Sequence, residues 1–107
     1  MAYYLFQGSY TPEALATLIK NPQDRIEVVR KSVENLGGKV VGGWFCFGEY
    51  DVVLVSELPD NVTAAAFAIA ASAGGALKAN KTTPLFGAAE TLQIFKTAGK
   101  AAYRPPK

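Results

Sequence analysis

The sequence contains no histidine. It therefore lacks the commonest general base near neutral pH and the commonest transition-metal ligand. His-ligated haem, His-based zinc sites and Ser-His-Asp triads are excluded within this chain. Cysteine is nearly absent too: Cys46 stands alone and cannot form an internal disulfide. No apolar run is long enough to span a bilayer. Met1-Ala2-Tyr3-Tyr4 has no basic segment leading into an apolar stretch, so no secretory signal is expected. Together these absences point to a reducing compartment, most simply the cytoplasm, with no membrane partner.

What is present is a hydrophobic chain of 107 residues, half of them apolar, with a mean hydropathy of +0.11. That is enough for one packed domain and too little for two. The net charge of +2 is unevenly spread: residues 1 to 75 carry a net of −3 and residues 76 to 107 a net of +5. Such a basic end on an acidic body can dock between molecules or attract an anion, although a solvated strand and tail is the plainer reading.

The pattern along the chain predicts alternating strands and helices. Tyr3 to Ser9 is apolar and aromatic and reads as a strand. Thr11-Pro12-Glu13 and Asn21-Pro22-Gln23-Asp24 both carry helix-start chemistry. Ile26, Val29, Val33 and Leu36 then recur at helical spacing, and Gly37-Gly38 stops that helix. Lys39 to Phe47 reads as a second strand, with a bulge or bend at Gly42-Gly43. Tyr50 to Glu57 reads as a third. Asp60 or Asn61 caps a helix that runs to Gly74-Gly75. Ala76 to about Thr83 reads as a fourth strand ended by Pro84, and Ala88 to Ala98 as a last helix with Leu92 and Phe95 on one face. A tail follows from Ala101 to Lys107. The order β-α-β-β-α-β predicts an α+β, ferredoxin-like antiparallel sheet with helices on one face, in one domain with an extra C-terminal helix.

The strands do not alternate as a half-wet sheet should. Tyr3-Tyr4-Leu5-Phe6, Trp44-Phe45-Cys46-Phe47 and Val52-Val53-Leu54-Val55 are apolar on both faces. Helices cover only one of them. The other calls for a second copy of the sheet, giving a homodimer or larger oligomer, unless the last helix folds across it.

Gly48-Glu49-Tyr50-Asp51 lies between two of these apolar runs and reads as a short polar hairpin turn. With this motif, Tyr10-Thr11-Pro12-Glu13, Pro22 and Arg25, and Leu36-Gly37-Gly38-Lys39, the chain resembles the GYD-domain family over most of residues 3 to 86. The resemblance implies a ferredoxin-like domain of the dimeric α+β barrel type, a fold that includes cofactor-free oxygenases, small-molecule-modifying enzymes and ligand-binding modules. It implies no particular reaction. Thr83 to Gly87 and the tail after Gly99 depart from the family pattern.

Few side chains suit chemistry. Glu49 and Asp51 can bind a hard cation or, if buried, supply a base, but two acids make no metal site and turn chemistry explains them. Tyr10 and Tyr50 can line a pocket between sheet and helices, or sit in the core with satisfied hydroxyls. Trp44, Phe45 and Phe47 lack the interleaved basic residues of a nucleic-acid platform and read better as subunit packing. Cys46, flanked by two phenylalanines and without a histidine to activate it, reads as an inert thiol. Lys78 and Lys81 are three apart on a strand and form no ready-made anion clamp.

These residues lead to three readings. The first is a binding or assembly module for a small, mostly apolar ligand touched by Tyr10, Trp44, Tyr50 and Asp51, with no cofactor, metal or nucleic-acid partner. The second is a cofactor-independent oxygenase or isomerase using Trp44, Tyr50 and Asp51. The third is a purely structural subunit.

Overall fold

In a computed structural model describing residues 1–106, the chain runs β1 (Ala2–Tyr10), α1 (Pro12–Lys20), α2 (Arg25–Asn35), β2 (Lys39–Phe45), β3 (Val52–Leu58), α3 (Asn61–Ala73), β4 (Leu77–Leu85) and α4 (Ala88–Gly99). Of the predicted tail, Lys107 lies outside the described residues. The four strands form one open antiparallel sheet in the order β2-β3-β1-β4, the ferredoxin-like arrangement.

α1 and α3 begin where the sequence chemistry predicts, whereas α2 starts at Arg25, three residues beyond the Asn21-Pro22 signal, with Asp24 as its cap. Thr11 Oγ1 accepts the Ala14 amide at 3.1 Å, Asp24 Oδ1 accepts that of Glu27 at 3.3 Å, and Asp60 Oδ1 accepts that of Thr63 at 2.8 Å. Each cap satisfies an amide that the first helical turn would otherwise leave unpaired. The Thr63 amide and hydroxyl together hold the Asp60 carboxyl below its usual range.

Three predicted boundaries need correction. The second strand stops at Phe45 and the third begins at Val52, so the connection is a loop from Cys46 to Asp51 and not a two-residue turn. The Cys46 amide donates to the Asp51 carbonyl at 2.7 Å, and Gly48 sits at φ +127, a conformation that a β-carbon disfavours. Pro84 does not end the fourth strand, which continues to Leu85 with Pro84 opposite Tyr4. β4 is an edge strand, where a missing N–H costs no ladder bond. The bulge predicted near the paired glycines is present: the β2–β3 register shifts between Val40 and Gly42.

The core lies on the helix side of the sheet. Tyr4, Phe6, Val33, Val40, Leu54, Leu58, Ala64 and Phe67 are buried there, with Ile26 and Val29 packed against them. Phe6 and Phe67 meet edge to face at 4.8 Å between ring centres. α2 packs over β2 and α3 over β4. Gly43 allows α2 its close approach, because a β-carbon there would lie 2.9 Å from Ile26 and 3.0 Å from Leu54.

The opposite face has no covering layer. Cross-strand pairs place Tyr3, Leu5, Trp44, Val53, Val55 and Leu85 on it. Tyr3 and Trp44 are exposed and the other four are partly so. Beside them the Glu57 carboxylate faces Tyr3 and raises its hydroxyl pKa. α4 does not fold across this face: it buries no residue, and Leu92, Ile94 and Phe95 stand in solvent. The radius of gyration is accordingly 17.0 Å, against about 13 Å for a compact chain of this length. No helix among the described residues is long and apolar enough to cross a membrane.

Candidate functional site

The Gly48–Asp51 motif fastens the β2–β3 loop onto the end of β1. β3 pairs with β1 only as far as Gly8 opposite Val52, so the last β1 residues have no strand partner on that side. The loop supplies one. Ser9 Oγ donates to the Glu49 carbonyl at 2.7 Å, the Asp51 amide donates to the Gly8 carbonyl at 2.8 Å, and the Tyr10 amide donates to Asp51 Oδ2 at 2.9 Å. Buried backbone groups need such partners, and Ser9 and Tyr10 are both buried. Just here β1 shifts register against β4, between Ser9 and Tyr10. The clasp thus fixes how Tyr10 leaves the sheet.

Beyond the clasp, α2 and α3 stand apart over the middle of the sheet and leave a cleft of about 430 Å³. That volume falls within the range of small-molecule sites. Phe6, Gly8 and Leu54 form part of its floor, Ile26 and Val29 one wall, and Phe67 and Ala71 the other. Tyr10 and Arg25 lie along the same cleft and also line an adjoining, more open recess of about 340 Å³ beside α1. Burial pushes the Tyr10 hydroxyl pKa up, the nearby Arg25 guanidinium pulls it back, and Asp51 adds to the rise. The phenol therefore stays protonated and able to donate.

Of the residues singled out from sequence, Tyr10 lines this cleft, whereas Trp44, Tyr50 and Asp51 do not. Asp51 acts on Tyr10 through its amide, and Trp44 lies on the open face of the sheet. Tyr50 belongs to the loop, where its carbonyl accepts from Cys46 Sγ at 3.2 Å. Gly48 and Glu49 contribute backbone. Among the described residues no three His, Cys, Asp or Glu side chains gather into a metal-binding group.

The cleft walls escaped sequence reasoning because Ile26 and Val29 look like ordinary core positions until the spacing of α2 and α3 is known. Arg25 did leave a signal. It is the first residue of α2, where the positive end of the helix dipole disfavours a cation.

A family model described as GYD domain matches residues 4–95. The match runs past residue 86 and takes in most of α4. No curated protein matches the chain.

Proposed function

The chain belongs to the GYD domain family, and from that premise we propose that it is a binding and assembly module of the cytoplasm. Two copies oppose their open sheet faces, and each takes a small, mostly apolar molecule into its helix-side cleft. The observation that carries this reading is the cleft itself: a mostly apolar space of about 430 Å³ between α2 and α3, with Tyr10 and Arg25 among the few polar groups of its lining. Small-molecule sites have this makeup, apolar walls with a few placed polar groups. Assembly is supported by the uncovered apolar face and by α4, whose Leu92, Ile94 and Phe95 are exposed.

Oxygenase or isomerase chemistry calls for an acid directed into the cavity. Asp51 instead accepts the Tyr10 amide and lies off the cleft lining, so nothing here favours that alternative over binding. Native mass spectrometry of the purified protein tests the proposal. The expected result is a dimer or higher oligomer carrying a reproducible added mass. A bare oligomer would favour a purely structural subunit, and a clean monomer would overturn the assembly.

A further inference from the structure

Arg25 is the unexplained residue of the cleft. The only ion pair among the described residues joins Arg30 to Glu27 at 3.3 Å, so Arg25 has no carboxylate within bonding range. One of its nitrogens donates to Gln23 Oε1 at 3.2 Å and the guanidinium also acts on the Tyr10 hydroxyl, yet its five N–H groups exceed these two partners. As the first residue of α2 it sits against the helix dipole and weakens the helix that carries it. The contact it has inside the cleft is with the Tyr10 phenol, and a residue that breaks local consistency is expected where function requires it. Its place fits: Arg25 is the one basic side chain lining the cleft, and with Tyr10 it marks the boundary with the open recess.

We propose that the ligand is an amphipathic monocarboxylate, its apolar body between α2 and α3 and its carboxylate held by Arg25 and the Tyr10 hydroxyl. This deepens the binding reading above and rests on it. A planar guanidinium matches a carboxylate with two parallel hydrogen bonds, and the phenol adds a third donor. A phosphate dianion fits less well. No second cation lines either space, and Glu13 on the recess opposes additional negative charge. A neutral apolar ligand leaves Arg25 unexplained.

The test titrates the purified full chain, stripped of any co-purifying molecule, with decanoate and with decan-1-ol as its neutral counterpart, by calorimetry at low salt. Decanoate is expected to bind about tenfold tighter or better, the scale of one charge-assisted contact. Arg25→Gln should abolish that preference, weakening decanoate binding far more than that of decan-1-ol. Arg25→Lys should retain part of it, and Ala71→Phe, which fills the cleft, should weaken both probes. Equal binding of the two probes would overturn the carboxylate assignment and leave the apolar cleft standing. Binding of neither would overturn both readings. A thermal melt of Arg25→Gln separates the structural explanation: lowered stability with unchanged decanoate preference would make Arg25 a purely structural cation, and the proposal would fail.

Discussion

On the helix side of the sheet, Tyr4, Phe6, Leu54 and Leu58 are buried by α2 and α3. On the other side, their chain neighbours Tyr3, Leu5, Val53 and Val55 are equally apolar and remain within reach of solvent. A strand points successive residues to opposite faces, so the same backbone carries both sets. Residue type alone does not separate them; the second layer does. One face met its layer within the chain. The other carries apolar surface that no element among the described residues covers, and α4 repeats the pattern, with none of its residues buried.

The first way to sharpen this contrast is to cut into each face in turn. Leu58→Ala removes a side chain with 0% exposure from the covered face. It should cost about 2–5 kcal/mol, the range for buried leucine truncations, read as a shift of the urea midpoint. Val55→Lys places a charge at the centre of the open face. There it should leave the isolated monomer within about 1 kcal/mol of the parent, since a solvent-reachable lysine stays hydrated. If the proposed sheet-to-sheet dimer forms, its assembly should weaken at least about a hundredfold, because an unpaired charge would be buried between the sheets. Analytical ultracentrifugation reads this directly. If Val55→Lys unfolds the monomer and leaves the oligomer intact, the two faces have been assigned the wrong roles.

How far the sequence discloses this architecture depends on the range of the interaction. The caps at Thr11 and Asp60 act over three residues and were legible as local chemistry, whereas the Asn21-Pro22 start signal stood three residues ahead of the actual cap, Asp24. So was the double apolar face, because alternation is a local property. The Asp51–Tyr10 bond spans 41 positions. From sequence, Asp51 looked like a turn acid or a site residue, and only the antiparallel register of β1 and β3 brings it to the Tyr10 amide. The cleft is harder still. It is a gap, set by where α2 and α3 rest on β2 and β4, and no residue type encodes a gap. Pro84 failed for a related reason: whether proline ends a strand depends on whether that strand is at the edge, which belongs to the whole sheet.

The clasp lies between the two faces and is open to a smaller perturbation. Asp51→Ala removes the acceptor of a buried backbone amide, and an unpaired buried donor costs about 1–3 kcal/mol. Asp51→Asn keeps an oxygen in place and should recover most of that loss. Hydrogen exchange at the Tyr10 amide checks the assignment: faster exchange is expected in Asp51→Ala and near-parental exchange in Asp51→Asn. Equal exchange in all three proteins would mean the loop does not hold the end of β1.

A smaller effect comes from the centre of the covered face. Ser56 is fully buried on β3, opposite Tyr4 and Val40, and its hydroxyl has no hydrogen-bond partner. A buried hydroxyl without a partner is less favourable than the apolar group that could replace it. Ser56→Ala removes the oxygen while vacating little volume, so the cavity penalty is small and the desolvation penalty disappears. Stability should rise by up to about 1 kcal/mol, seen as a later urea midpoint with an unchanged slope. A loss of similar size would show that the hydroxyl is hydrogen-bonded in solution, through a buried water, and that the covered face is less dry than its packing indicates. The same substitution logic fails on the open face: there Gln7 is only partly buried, and replacing it by alanine should leave monomer stability within about 0.5 kcal/mol. Polar atoms are costly only on the face whose second layer is already in place.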